Sequence, residues 1–371
     1  MREPRPAAVF AALVATAVLA TLQLLVPSTA QARWCSGPAS WSSFSPDQRL
    51  VLTYYYYWYT PGIVDRGGLV LNPPDGVLPD RRSMDWHARQ LADMAEAGVD
   101  VALPVYWGTV YPWSSKGLDA LVNAREARLA AGQRVPPLGL FLDTNNFGRL
   151  VAQRPGQSVA DLGSPAGKAA LYDQVRRFFR EVPACHWAKI GGRPLVVVWQ
   201  AQPDGVSLTY DETVFAALYD WFEQDFGVRP FIVREASWDV VGFETPRPVQ
   251  TDEVYMWGAA LGGPFAIGGT VSVGPGYDDR LLPDREGLFR DRQGGANYAR
   301  GLQWAIQSGK RWLFLETWNE LFEGTAIAET AEYGRLYIEL TRTYADRFKA
   351  LDVPPPAKAP APCSKKVRVS C

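Results

Sequence analysis

Leu313-Phe314-Leu315-Glu316-Thr317-Trp318-Asn319-Glu320-Leu321-Phe322-Glu323-Gly324-Thr325 is an apolar, β-type run that empties directly into three carboxylates, an amide and two aromatic rings. A strand that delivers acidic side chains from its C-terminal end is what a parallel α/β scaffold presents at an active site. The chain upstream reads as the rest of that scaffold. Leu50–Tyr59, β-branched and aromatic and stopped by Pro61-Gly62, is predicted as the first strand. Val99–Val105 follows with Tyr106 and Trp107 at its end, then Leu138–Leu142 delivering Asp143, and Leu195–Val198 ending on Trp199. Phe231–Val233 delivers Arg234 and Glu235, Glu253–Met256 ends on Trp257, and Thr270–Val273 runs into Gly274-Pro275-Gly276-Tyr277-Asp278-Asp279. Trp312–Glu316 is the eighth.

Between them lie helical patterns at Asp85–Ala97, Lys116–Ala131, Pro165–Glu181, Asp211–Phe226, Asn297–Ser308 and Glu332–Leu351, several ended by glycine. No clear helix separates the fifth, sixth and seventh strands. Eight strands mostly alternating with helices predict an α/β fold, a (β/α)8 TIM barrel in a single catalytic domain. The competing open, doubly wound sheet would carry a glycine-rich phosphate loop after its first strand, and none stands there.

The ends of the chain read differently. Arg2 and Arg5, an apolar run from Ala7 to Val26 and the small-residue site Ala30-Gln31-Ala32 make residues 1–32 a secretory signal peptide. The mature chain is expected from Arg33, secreted and free of the membrane after cleavage. Residues 33–350 are assigned to the catalytic domain. Residues 351–371 are a Pro-rich linker, through Pro354-Pro355-Pro356 to Pro362, and a short tail holding Cys363 and Cys371. Four cysteines in an exported chain predict two disulfides, with three connectivities open. A net charge of −1 argues against a nucleic-acid partner. The only histidines, His87 and His186, lack metal-ligand spacing and are read as structural, so neither a catalytic metal nor another cofactor is expected. A monomer is expected. The outlying feature is aromatic content, with 14 Trp, 16 Tyr and 16 Phe. Such an excess fits either a bulky core or a carbohydrate cleft whose walls stack on sugar rings.

Glu320 and Glu323 are three residues apart, so a helical turn after the eighth strand would put their Cβ atoms roughly 5–6 Å apart. Two carboxyls that close drive their pKa values apart, giving an acid and a base at neutral pH. In isolation such a pair more often caps a helix or meets an arginine. Its place after an eighth strand of an aromatic-rich exported chain favours catalysis.

The run Trp318-Asn319-Glu320-Leu321-Phe322-Glu323-Gly324-Thr325-Ala326-Ile327 resembles the N-E-W-x-E-G-T-x-I signature of the glycoside hydrolase family 99 endo-α-mannosidases and their relatives, family 71 among them. Tyr54–Tyr59 resembles that family's Y-Y-x-x-W-Y first strand, and His87–Val105 its second helix and strand. Ser272–Asp279 is similar to its S-V-G-P-G-Y loop, with Arg290-Asp291-Arg292 downstream. The resemblance implies a retaining glycosidase acting on α-linked mannose, with a polysaccharide or oligosaccharide as its partner. Carried over, Glu320 would be the base on the sugar 2-hydroxyl and Glu323 the general acid/base. Tyr277 would contact the sugar at the cleavage site, and Tyr54 or Tyr57, with Trp58, would line the floor.

Trp107, Trp199 and Trp257 are further stacking candidates, and Asp143, Glu235, Glu316 and Asn319 further polar contacts. The chain departs from the family at Leu321 and Phe322, where relatives have tryptophan and histidine. It departs again at Glu316, where they have a small residue. Those departures leave open a related hydrolase of another α-glycan, such as a glucan, or a non-catalytic carbohydrate-binding barrel.

Overall fold

The computed structural model describes residues 36–61, 68–108, 113–145, 147, 159–201, 207–240, 246–283 and 285–351. The expected signal peptide, three of the four cysteines, and the linker and tail lie outside the described residues. Eight parallel strands follow one another around a barrel: β1 Leu50–Tyr55, β2 Val101–Tyr106, β3 Leu140–Leu142, β4 Arg193–Val198, β5 Phe231–Glu235, β6 Glu253–Tyr255, β7 Thr270–Val273 and β8 Trp312–Leu315. Parallel ladders join β1 to β2 and so on through β5 to β6, and again β7 to β8 and β8 back to β1. At the remaining junction, between β6 and β7, the Thr270 hydroxyl donates to the Val254 carbonyl at 2.9 Å. The chain is a (β/α)8 barrel.

Strands covered by helices outside and packed against one another inside need apolar residues on both faces, which is why β1 and β2 are buried throughout. Aromatic rings fill the interior. Tyr54 packs edge-on to Phe141 at 4.7 Å and over Phe314 at 6.0 Å, and Phe314 stacks on Tyr255 at 5.1 Å. This layer plugs the barrel and forms the bed on which the cavity above it rests.

Among the described residues, seven helices with defined bounds accompany the strands: α1 Met84–Glu96, α2 Trp113–Ala130, α3 Pro165–Glu181, α4 Ala216–Phe226, α5 Ala259–Gly262, α6 Ala296–Gln307 and α7 Leu336–Lys349. Side chains that stop backbone amides from going unpaired set where they begin. The Ser83 hydroxyl accepts from Trp86 N–H at 3.2 Å, and that of Ser164 accepts from Gly167 N–H at 3.1 Å.

The structure moves some expected boundaries. β1 ends at Tyr55 rather than Tyr59 because Asn319 takes both backbone groups of Tyr56 out of the ladder: its Oδ1 accepts from Tyr56 N–H at 2.8 Å and its Nδ2 donates to the Tyr56 carbonyl at 2.7 Å. α4 starts at Ala216 rather than Asp211, since Asp211 turns back to accept from the Thr213 N–H and hydroxyl. β6 is followed only by the four-residue α5 and by Phe265–Ile267, which pairs antiparallel with β7.

Candidate active site

At the C-terminal mouth of the barrel opens a cavity of about 610 Å³, within the range of small-molecule sites. Loops after every strand except β5 reach its wall. Both glutamates of the motif lie on it. Glu320 is 3% exposed, and its Oε1 accepts from Phe322 N–H at 2.9 Å. Glu323, on the same wall, meets the Arg285 guanidinium at 3.2 Å. No helix follows β8, contrary to the expectation that set the spacing of the pair. Residues 321–324 form a tight turn instead, in which Thr325 N–H reaches back to the Glu320 carbonyl at 3.1 Å. The ends of this loop are zipped by a 2.9 Å bond between the hydroxyls of Thr317 and Thr325.

The loop is braced from behind. Arg292, buried, donates to the Gly324 carbonyl at 3.1 and 2.9 Å and to the Ala326 carbonyl at 2.6 Å, and lies 4.3 Å over the Tyr337 ring. Gly324 has φ 63°, a left-handed turn that only glycine adopts cheaply, and a Cβ there would lie 2.9 Å from Val70.

Beside Glu323, whose carbonyl accepts from Asp278 N–H at 2.9 Å, Tyr277 donates to Asp279 at 3.1 Å, and burial, then the nearby charges of Glu323 and Asp279, hold its phenol well above the ordinary tyrosine value. Trp58, Trp107, Trp199 and Trp257 are all on the wall, as is Asp143. Trp58 and Trp107 meet edge to face at 5.0 Å, and Trp199 and Trp257 at 5.9 Å. Asp143 accepts from the Trp107 indole N–H and from Asn145 N–H, so it fixes the tryptophan as well as facing the cavity.

Four expected contacts do not reach the wall. Tyr54 is fully buried in the ring layer beneath it. Tyr57 points the opposite way, its hydroxyl 3.0 Å from that of Ser114 in α2. Glu235 is spent on backbone amides, accepting from Ser237 N–H at 2.7 Å and Trp257 N–H at 3.3 Å. Asn319 holds Tyr56 as described. Arg234, delivered by the same strand as Glu235, pairs with Asp239 at 2.6 Å. The residue missed at the floor is Tyr56, which lines the cavity with Trp58. Strand alternation could have found it, because Tyr54, Tyr56 and Trp58 share one face while Tyr55, Tyr57 and Tyr59 share the other. Phe322, Arg285 and Gln200 on the wall were also missed, and their strand-to-loop positions carry no comparable signal.

Glu316 differs from its expected role. It is 1% exposed, and its carboxyl accepts from Gly258 N–H at 3.1 Å on both oxygens and from Ala260 N–H at 3.1 Å. Burial pushes its pKa up to about 8, against the pull of those backbone amides and with a smaller push from Glu235. It borders the cavity, but its acceptor capacity is turned to the protein.

The fold of the chain is shared with solved structures of distant sequence. The glycoside hydrolase family 99 endo-α-mannosidase of Bacteroides thetaiotaomicron, in complex with bis-tris-propane, is 17% identical with a TM-score of 0.59, covering 82% of this chain and 98% of that one. A glycoside hydrolase-like protein is 12% identical with a TM-score of 0.56, covering 82% of this chain and 95% of the other. At such identities the likeness is one of fold. No curated protein matches the chain. The model of a family described as a domain of unknown function (DUF5010) matches residues 53–361, and the chain belongs to that family.

Proposed function

We propose that the protein is a glycoside hydrolase cleaving α-linked glycans, and that it acts as a retaining endo-α-mannosidase-like enzyme. The observation that carries this reading is the placement of Glu320 and Glu323 on one wall of an aromatic-lined cavity at the barrel mouth, with Tyr277 beside Glu323. Ring-stacking walls and a few convergent polar groups suit a sugar. Two carboxylates on one short turn suit attack by the sugar's own hydroxyl better than carboxylates flanking the glycosidic bond.

In the first step Glu320 takes the proton of the 2-hydroxyl as O2 bonds to the anomeric carbon. The bond from that carbon to the leaving oxygen breaks, and Glu323 supplies that oxygen with a proton. In the second step water opens the 1,2-anhydro ring at the anomeric carbon, Glu323 takes the water proton and Glu320 returns a proton to O2. Only a 2-hydroxyl on the face opposite the leaving group can displace it, as the axial hydroxyl of an α-mannoside does. A retained product in NMR is therefore expected, and an inverted one would remove the mechanism. The protein is also proposed to be exported by residues 1–32, with its cysteines paired.

The primary test is reducing-end release from a panel of mannans and glucans. Glu320→Gln and Glu323→Gln should each lower turnover by about 10²- to 10⁴-fold, with the fold intact by circular dichroism. Wild-type rates in either variant would sink the assignment.

A further inference from the structure

A four-residue helix has too few internal hydrogen bonds to hold its own shape, so the position of α5 is set by what grips it. At its amide end Glu316 accepts from Gly258 and Ala260. At its carbonyl end the Arg290 guanidinium donates to Ala259 at 3.1 Å and to Leu261 at 3.3 Å. The acceptor at the amide end and the guanidinium at the carbonyl end each satisfy backbone groups that so short a helix leaves without internal partners. The back of the segment lies against Gly274, where a Cβ would come 2.4 Å from the Ala260 Cα. Its front, with Trp257 immediately before it, is cavity wall.

We infer that Glu316 is a positioning residue rather than a third catalytic acid: with Arg290 it clamps the 257–261 segment into the shape that the bound sugar meets. The inference deepens the glycosidase reading and rests on it for its kinetic consequence. Glu316 comes from the end of β8, the same strand that delivers Glu320, and Arg290 from beyond the Tyr277 loop. The clamp thereby ties the β6 stacking wall to both elements that carry the reacting groups.

The test compares the wild-type chain with Glu316→Gln and Glu316→Ala by amide hydrogen exchange at Gly258 and Ala260 and by steady-state kinetics on a glycan the wild type cleaves. Exchange at those two amides should accelerate by roughly tenfold or more, while barrel-strand amides stay protected. KM should rise by roughly tenfold, with kcat kept within about threefold. A collapse of kcat at unchanged KM and unchanged exchange would make Glu316 a catalytic group and overturn the inference. Unchanged exchange with unchanged KM would overturn it as well. Should the Glu316 variants fail to fold, Arg290→Gln releases the other end of the clamp and is expected to loosen the same segment; full protection there would overturn the inference equally. If the wild-type protein cleaves no glycan, the glycosidase reading falls, and the exchange rates alone still decide the clamp.

Discussion

His87 shows how much a single side chain can hold when it is sealed from water. The Tyr55 hydroxyl donates to Nδ1 and Nε2–H donates to the Arg81 carbonyl, each at 2.7 Å, which requires the neutral ring. Burial lowers its pKa to about 4, against the opposing pull of that carbonyl. The folded state therefore refuses a proton that the unfolded chain accepts near 6.5. The stability His87 confers is present above that pH and is lost as pH falls towards 4, at up to about 1.4 kcal/mol per pH unit. Urea titrations from pH 7 to 4 should show a shallower acid loss in His87→Gln than in wild type. Parallel curves would refute the assignment. Its structural nature was legible from its place in a helical pattern, and the candidate pair Glu320 and Glu323 was legible from the strand before it. Tyr57 and Asn319 were not. A side chain that faces a helix, or one that reaches across to hold the backbone of a distant strand end, leaves no mark in composition or spacing, and both were read as sugar contacts for want of one.

At the level of elements, strands such as β1, β2 and β4 were legible because burial on both faces writes a nearly continuous apolar run, and most helices because serine or glycine marks their ends. What resisted was the stretch from β6 to β7, where a four-residue helix and an antiparallel hairpin stand in place of a full helix; too short for a period of 3.6 to show, they are held by contacts from distant residues. Gly274 makes the consequence measurable. It begins the Gly-Pro-Gly-Tyr segment at the end of β7, and its Cα hydrogen faces the Ala260 backbone so closely that a methyl group cannot fit: the nearest backbone atoms would be the Cα and nitrogen of Ala260 at 2.4 and 2.7 Å. Backbone has to move, and the elements on either side carry Trp257 and Tyr277. Gly274→Ala should cost about 1–3 kcal/mol of stability by overpacking. It should also lower kcat/KM on the glycan substrate, because both walls shift together. A variant of wild-type stability and activity would mean that the two loops do not touch as described.

Across the whole molecule, β1 pairs with β8 on one side and β2 on the other, and the cavity draws on the ends of seven of the eight strands. No part of the site survives the opening of the sheet. Ligand binding must then be linked to global unfolding rather than to the melting of one loop, and the linkage has a definite size. At a concentration a hundredfold above Kd, a ligand that binds only the folded state adds about 2.7 kcal/mol. For a chain of this length, each kcal/mol is worth roughly 1.5 °C in Tm. The Glu320→Gln variant, titrated with a manno-oligosaccharide that it binds but turns over too slowly to consume during the melt, should therefore melt in one transition that rises by about 4 °C at a hundredfold excess over Kd. A melt that splits in two, with only one step moving, would show that the site belongs to a separable part of the chain. Such a result would contradict the argument that Glu320, Tyr277 and the tryptophan wall are held in register by one continuous sheet.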